Sequence, residues 1–172
     1  ACEAVAAGLR ERGRDAIALP CNVSAKEELQ RLVDATLAKW GRIDVLVCNA
    51  ATNPVFGPLS QVPDSAFDKV KGTNVRSNFW LCNMVIPQMA ERRDGAVILI
   101  ASIAGIKGNT TIGTYGISKA AEMQLARNLA LEWGPHNIRV NAIAPGVVRT
   151  DFARALWKDD EKPKRLEAAT AL

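Results

Sequence analysis

The sequence is poor in residues on which several common catalytic mechanisms depend. It contains a single histidine, His136, and aromatic residues make up 5% of the chain. Ser-His-Asp and Cys-His mechanisms need a histidine beside the nucleophile. His136 stands between Pro135 and Asn137, in a segment typical of a polar turn. These shortages argue against a hydrolase of either class.

Cysteine is also scarce, and its spacing argues against a metal site. The four cysteines lie far apart, and no two form a Cys-x-x-Cys pair. Structural zinc sites usually take their ligands from such pairs. We therefore expect no metal ion, and reduced thiols as in a cytoplasmic protein. The cysteines are Cys2, Cys21, Cys48 and Cys82.

Long apolar runs and clustered charges are absent as well. No apolar segment approaches the roughly 18 residues that a membrane-spanning helix needs. The 22 basic and 18 acidic residues give a net charge of +4, and the basic residues are scattered along the chain. Nucleic-acid-binding faces usually cluster lysine and arginine. We expect neither a membrane nor a nucleic-acid partner.

Apolar runs alternate with segments of helical periodicity along the whole chain. The predicted strands cover residues 16–19, 43–48, 96–101 and 138–144. The predicted helices cover residues 1–12, 24–40, 64–93, 115–133 and 151–164. Ser24 and Glu27 fit a capping box at the start of the second helix, and Gly41 fits its end. The alternation predicts an α/β fold, a doubly wound parallel sheet with helices on both faces, in one domain over residues 1–172.

Small or polar residues follow each predicted strand. Asn22, Asn49 and Ser102 come after the first three strands, and Pro145-Gly146 follows the fourth. Ligands of open α/β sheets bind beyond the carboxyl ends of the strands. We therefore expect these residues to lie along one ligand-binding edge of the sheet.

A tyrosine and a lysine on one predicted helix form the strongest chemical signal. Tyr115 and Lys119 are four residues apart, so they share a helix face, and Ser102 lies thirteen residues before Tyr115. A phenol, an ammonium and a hydroxyl together can hold a carbonyl oxygen and pass it a proton. An ammonium about 4 Å away at an effective dielectric of about 20 would lower a phenol pKa by up to roughly three units, and desolvation opposes that shift. We expect Lys119 to lower the pKa of Tyr115.

Five blocks of sequence together resemble one enzyme family. Tyr115-x-x-x-Lys119 with Ser102 upstream resembles the active site of the short-chain dehydrogenases/reductases. The other blocks are Cys48-Asn49-Ala50-Ala51, which resembles the family's Asn-Asn-Ala-Gly; Thr73-Asn74-Val75; Cys21-Asn22-Val23, where the family usually has Asp-Val; and Asn141 with Pro145-Gly146 and Thr150.

The resemblance implies the fold, the chemistry and the site residues. It implies a Rossmann-like fold and hydride transfer between NAD or NADP and a small alcohol or ketone. Tyr115 would be the general acid/base, Ser102 would bind the substrate oxygen, Lys119 would hold the nicotinamide ribose, and Asn74 would anchor a water in a proton relay. The implied cofactor contacts are Asn22, Val23, Asn49, Ala50, Ala51, Tyr115, Lys119, Pro145, Gly146, Val148 and Thr150.

The substrate and the assembly are less sharply indicated. Asn53-Pro54-x-Phe56-Gly57 resembles the branch that holds peroxisomal carbonyl and retinal reductases. The expected lining is apolar, which favours a hydrophobic carbonyl compound; it comprises Ile103, Val147, Phe152 and Trp157. Family members are commonly homotetramers, so we expect a homo-oligomer, either a dimer or a tetramer. Apolar residues of the Tyr115 helix would supply its interface or would face the sheet.

Several parts of the family pattern are missing from this sequence. It has no initiating methionine, no glycine-rich phosphate fingerprint, no residue that would sort NAD from NADP, and no last strand or C-terminal segment. In the family's strand order the missing strands lie between the first and second strands predicted here. We therefore expect an unpaired first strand and an open sheet edge, as in the central portion of a longer protein. The alternative is a truncated, non-catalytic chain that acts as an assembly or interaction partner, and the mass of the purified protein would separate the two.

Overall fold

A three-stranded parallel sheet forms the centre of the computed structural model, which describes residues 2–148 and Thr150. The strands are β1 (Val45–Cys48), β2 (Gly95–Ile100) and β3 (Ile138–Ile143), in the order β1-β2-β3. Val45 pairs with Ala96, and Gly95 pairs with Ile138. The predicted parallel sheet is thus confirmed for three of its strands.

Helices connect the strands and pack beside them. They are α1 (Cys2–Glu11), α2 (Lys26–Trp40), α3 (Asp64–Val70), α4 (Ser77–Glu91) and α5 (Gly113–Trp133). Short 3₁₀ turns cover Leu59–Gln61, Ile103–Gly105 and Gly134–His136. No described helix is long and apolar enough to cross a membrane. The helix predicted at residues 151–164 lies outside the described residues.

The strand predicted at residues 16–19 is wrong. The segment follows α1 without regular structure, and the carbonyl of Ala16 accepts a hydrogen bond from the Arg10 guanidinium at 2.9 Å. A strand needs a neighbour with which to form a ladder. Among the described residues no strand runs beside this segment.

The start of α2 also differs from expectation. Ala25 occupies the N-cap position without a side-chain hydrogen bond, so the Ser24–Glu27 capping box does not form. The Ser24 hydroxyl is instead hydrogen-bonded to the hydroxyl of Thr73 at 2.9 Å. The end of α2 is as predicted, because Gly41 adopts φ 74° and donates its N–H to the Leu37 carbonyl.

The long helical region predicted from residue 64 to 93 contains a π-helical turn. This turn, Lys71–Arg76, joins α3 to α4. Such turns insert one extra residue and often occur at functional sites. The turn carries Asn74, whose side chain is fully buried.

The core lies between the sheet and helices α2, α4 and α5. Its fully buried members include Leu29, Val85, Met89, Val97 and Leu99. Strand β2 is almost wholly buried, whereas Val45 and Val47 of β1 are exposed. The predicted burial of both sheet faces therefore holds for β2 and fails for β1, because no described element covers those two valines. The expected open edge lies at β1, which pairs only with β2 among the described strands.

Candidate active site

The carboxyl ends of the three strands bring predicted site residues to one edge. Asn49 follows β1, Ser102 follows β2, and Pro145 follows β3. The last two segments are joined because the Ile103 N–H donates to the Pro145 carbonyl at 3.1 Å. The expected placement of these residues at one edge of the sheet is therefore observed for these three strands.

Ser102 and Tyr115 meet at this edge. The Ser102 hydroxyl lies close enough to the Tyr115 phenol to lower its pKa. The Ser102 hydroxyl oxygen also accepts the Ala104 N–H at 3.1 Å, which fixes its rotamer at the start of the 3₁₀ turn. Both side chains are half-buried, so a substrate oxygen can reach them from the open side.

Two glycines allow the 3₁₀ turn after Ser102 to lie close to α5, and neither was identified from the sequence. A Cβ on Gly105 would lie 2.6 Å from the backbone nitrogen of Ala120. A Cβ on Gly116 would lie 2.6 Å from the carbonyl oxygen of Ala104. Real Cβ atoms do not approach backbone atoms so closely. These glycines let the 3₁₀ turn after Ser102 rest directly on α5.

Lys119 is almost fully buried, with 2% of its surface exposed. Its ammonium donates to the Ile100 carbonyl at 2.7 Å and to the two carboxylate oxygens of Glu122 at 2.9 and 3.0 Å. It also lies 5.5 Å from the centroid of the Tyr115 ring. Lys119 therefore joins the end of β2 to the face of α5 that carries Tyr115.

Glu122 affects the pKa of Tyr115 in a way that the sequence did not indicate. Burial raises the pKa of Tyr115, the Glu122 charge raises it further, and the Ser102 hydrogen bond lowers it. The pKa of Tyr115 is thus raised, opposite to the expected fall, and the carboxylate that pairs with the Lys119 ammonium contributes to the rise. Burial also raises the pKa of Glu122 to about 7, and Lys119 opposes that rise. The signal for Glu122 was its position three residues after Lys119, on the same face of the helix.

Asn74 ties two walls of the site together. Its Oδ1 accepts the Thr52 N–H at 2.8 Å, and its Nδ2 donates to the Thr52 carbonyl at 3.1 Å. The same Nδ2 donates to the Ser118 hydroxyl at 2.9 Å. The loop after β1 is thereby joined to α5, three residues from Tyr115. The Asn74 side chain is thus held in one orientation.

The predicted cofactor contacts at the first two segments lie near this network. Asn22 is exposed, and its Oδ1 accepts the Ser24 N–H at 3.1 Å. Val23 packs against the core. Asn49 and Ala50 are exposed after β1, and Ala51 is half-buried.

The remaining predicted contacts follow β3. Pro145 is half-buried, and the described residues beyond it are exposed; they include Gly146, Val148 and Thr150. Ile103 and Val147, expected to line the substrate site, are exposed apolar residues. Phe152 and Trp157 lie outside the described residues.

The donor set at the edge fits a nicotinamide dinucleotide. Asn22, Asn49 and Thr150 offer exposed amide and hydroxyl groups that suit ribose and carboxamide. Ala50 after β1 has a small side chain and Gly146 after β3 has none, so a cofactor could lie close to the backbone there. Val148 offers an exposed apolar side chain. To bind a ribose hydroxyl, the Lys119 ammonium would have to redirect one of the hydrogen bonds that it now donates to Ile100 and Glu122.

Comparison with known proteins supports the same family. A model described as short chain dehydrogenase matches residues 1–161. The chain belongs to the short-chain dehydrogenase family. The predicted family and the Rossmann-like, parallel α/β fold are thereby confirmed.

Individual short-chain dehydrogenases resemble the chain over most of its length. Dehydrogenase/reductase SDR family member 4 of Bos taurus is 38% identical over 162 residues, which cover 94% of this chain and 58% of the relative. The chain therefore spans little more than half the length of that relative.

Solved structures of the family match as well. The crystal structure of NAD⁺-bound xylitol dehydrogenase matches with a TM-score of 0.84 and 34% identity, over 99% of this chain and 64% of the other. A gluconate 5-dehydrogenase from Burkholderia cenocepacia J2315, solved with NADP and tartrate, matches with a TM-score of 0.90 and 26% identity, over 97% of this chain and 65% of the other.

Proposed function

We propose that the protein is an NAD(P)-dependent oxidoreductase that interconverts a small hydrophobic alcohol and its ketone, with Tyr115 as general acid/base. The observation that carries this proposal is the meeting of Ser102 and Tyr115 at one edge of the sheet, beside the buried Lys119 ammonium. Family membership supports the oxidoreductase class.

The chemistry of the chain's own residues follows from this geometry. A substrate carbonyl oxygen would accept hydrogen bonds from the Ser102 and Tyr115 hydroxyls. The nicotinamide cofactor, when bound, supplies or accepts the hydride at the carbonyl carbon. Tyr115 gives its proton to the oxygen during reduction and takes it back during oxidation. The raised pKa of Tyr115 keeps its phenol protonated near neutral pH, which favours the reduction direction.

The cofactor would lie along the carboxyl edge of the sheet. We propose that Asn49, Ala50 and Ala51 after β1 contact it near its ribose groups. Asn22 and Val23 would lie near the adenine, and the segment after β3 near the carboxamide and pyrophosphate. The names of the matching structures include both NAD⁺ and NADP, so the proposal covers either cofactor.

The decisive experiment measures hydride transfer by the full-length protein. Oxidation of NADH and NADPH is followed with a panel of hydrophobic ketones. Tyr115→Phe should lose nearly all turnover, and Ser102→Ala should lose about 10²–10³-fold in kcat. Ser60→Ala removes an exposed hydroxyl away from the site and serves as the matched control. Wild-type turnover in Tyr115→Phe would refute the mechanism. Absence of turnover in the wild-type protein on every ketone and both cofactors would favour the assembly-partner alternative.

We also propose a homo-oligomer formed through α4 and α5. Phe79, Ile117 and Leu131 are exposed on these helices, and Leu131 is 81% exposed. Exposed large apolar side chains on neighbouring helices often mark protein interfaces. Leu131→Glu should lower the mass measured by light scattering, whereas Gln124→Glu, at an exposed polar position of α5, should not.

We place the reaction in the cytoplasm. All four cysteines are free thiols in the structure. Free thiols suit a reducing compartment.

A further inference from the structure

Glu122 is the charged residue that the proposed mechanism does not use. Its side chain has 0% exposure, and both carboxylate oxygens accept hydrogen bonds from the Lys119 ammonium. Buried carboxylates are expensive, and a buried ion pair is often no more stable than apolar residues of the same size. Stability alone therefore does not explain this pair.

Among the described residues, Lys119 is the charged side chain that compensates Glu122. On α5 the groups that face it are Lys119 and Tyr115; from β1 and α4 the buried thiols Cys48 and Cys82 face the same interior. Strand β2 contributes no titratable side chain. The charged residues on the other described elements that contact α5, and on the remainder of α4 and α5, are exposed: Asp64, Asp68, Lys69, Lys71, Arg76, Glu91, Arg127, Glu132, His136 and Arg139.

Above the pKa of Glu122, the charges of the buried cluster therefore sum to zero while Tyr115 is protonated. Lys119 contributes one positive charge and Glu122 one negative charge. Loss of the phenolic proton would leave the cluster with a net negative charge in a poorly solvated place, which is unfavourable. Without Glu122 the same proton loss would instead take the cluster from a net positive charge to neutrality.

We propose that Glu122 is a positioning residue that neutralises Lys119, so that Tyr115 keeps its proton until a further positive charge enters the site. This inference rests on the proposed function. An oxidised nicotinamide ring carries one positive charge, and a reduced ring carries none. Counted together, the cluster and a reduced ring are neutral when Tyr115 is protonated. The cluster and an oxidised ring are neutral when Tyr115 is a tyrosinate. Glu122 thereby matches the proton on Tyr115 to the redox state of the cofactor.

The first test titrates Tyr115 in the cofactor-free protein. Tyrosinate absorbs at longer wavelength than tyrosine, and the Tyr115→Phe titration is subtracted to isolate the signal of Tyr115. Glu122→Gln keeps the size and hydrogen-bonding capacity of the side chain and removes its charge. The midpoint of Tyr115 should fall by about one pH unit or more, as expected when a nearby unit charge is removed from a site with an effective dielectric of about 20. An unchanged or raised midpoint would overturn the inference.

A second comparison covers the case in which Glu122→Gln does not fold. The double variant Lys119→Met with Glu122→Leu replaces the ion pair by apolar side chains of similar length, a change that proteins often tolerate. Because both charges disappear, its midpoint should stay within about one pH unit of wild type. A rise of several units would mean that Glu122 does not offset Lys119, and the inference would fail.

The pH dependence of turnover separates this inference from the proposed function. In Glu122→Gln the profile of kcat/KM for alcohol oxidation should extend to lower pH, and ketone reduction should decline at lower pH than in wild type. Full turnover by Tyr115→Phe would refute the proposed function. Loss of turnover in Tyr115→Phe, combined with a wild-type midpoint and wild-type profiles in Glu122→Gln, would refute only the role of Glu122.

Discussion

Substitution of Gly105 by alanine tests whether the close contact between the Ser102 turn and α5 sets the catalytic geometry. The added Cβ would lie 2.6 Å from the Ala120 nitrogen, about 0.8 Å inside the 3.4 Å at which ordinary contact begins. It would also lie 2.7 Å from the carbonyl carbon of Lys119. Both atoms belong to the backbone of α5 and cannot move aside as a side chain would. The turn should therefore move away from α5.

This displacement is large enough to keep the Ser102 and Tyr115 hydroxyls from binding one substrate oxygen together. Hydroxyl–hydroxyl hydrogen bonds are usually about 2.8 Å long, and an increase of about 0.8 Å takes the oxygens beyond bonding distance. A misplacement of about 1 Å in a catalytic group can cost about 10²-fold in rate. Overpacking of this kind also costs about 1–3 kcal/mol of stability. Gly105→Ala should show both losses.

The assay has a matched control in the same loop. Gly108 has no atom within 4 Å of its ideal Cβ position, so Gly108→Ala should keep both stability and rate. Urea unfolding gives the stability of each variant, and ketone reduction at saturating cofactor gives kcat/KM. A Gly105→Ala protein with wild-type stability and wild-type kcat/KM would show that the contact does not position Ser102.

Three further substitutions give distinct outcomes. Asn74→Ala removes three hydrogen bonds and leaves the backbone of Thr52 unpaired, so urea unfolding should show a loss of about 2–4 kcal/mol, and a loss below about 0.5 kcal/mol would contradict the network. Folding raises the pKa of Glu122 from 4.5 to about 7, so between these pH values the folded state binds more protons than the unfolded state. The protein therefore loses stability as the pH rises from 4.5 to about 7. Relative to Glu122→Gln, wild type should lose about 3 kcal/mol across that interval; parallel pH–stability curves would exclude this titration. Gly95→Ala would place a Cβ 2.6 Å from the Met89 sulfur, and it should cost about 1–3 kcal/mol in thermal or urea unfolding, with wild-type stability as the contrary result.

The parts of the fold that follow from local sequence pattern were predictable. The spacing of Tyr115 and Lys119 reflects the helical repeat, and Ser102 follows an apolar run that forms β2 as expected. The segment at residues 16–19 has the composition of a strand, but strand formation depends on a partner elsewhere in the chain. Composition alone does not reveal whether that partner is present.

The parts that depend on distant contacts were not predictable. Ser24 has the sequence context of a helix cap, yet its hydroxyl contacts Thr73, 49 residues away. Glu122 looks like an ordinary charged helix residue until packing encloses it with Lys119. The pKa of Tyr115 was therefore assigned the wrong direction, because its sign depends on a burial that no local pattern reports. The π-helical turn around Asn74 is likewise a product of packing between α3, α4 and α5.

The Asn74 amide has a consequence for the breathing motions of the protein. Thr52 lies in an irregular segment, where backbone amide hydrogens usually exchange with solvent within short times. Its N–H, however, is donated to a side chain with no solvent exposure at all. Exchange of this one hydrogen requires the loop after β1 to separate from the π-helical turn. The Thr52 amide is therefore a natural reporter for opening of the cofactor edge, and its protection should rise when a ligand holds that edge closed.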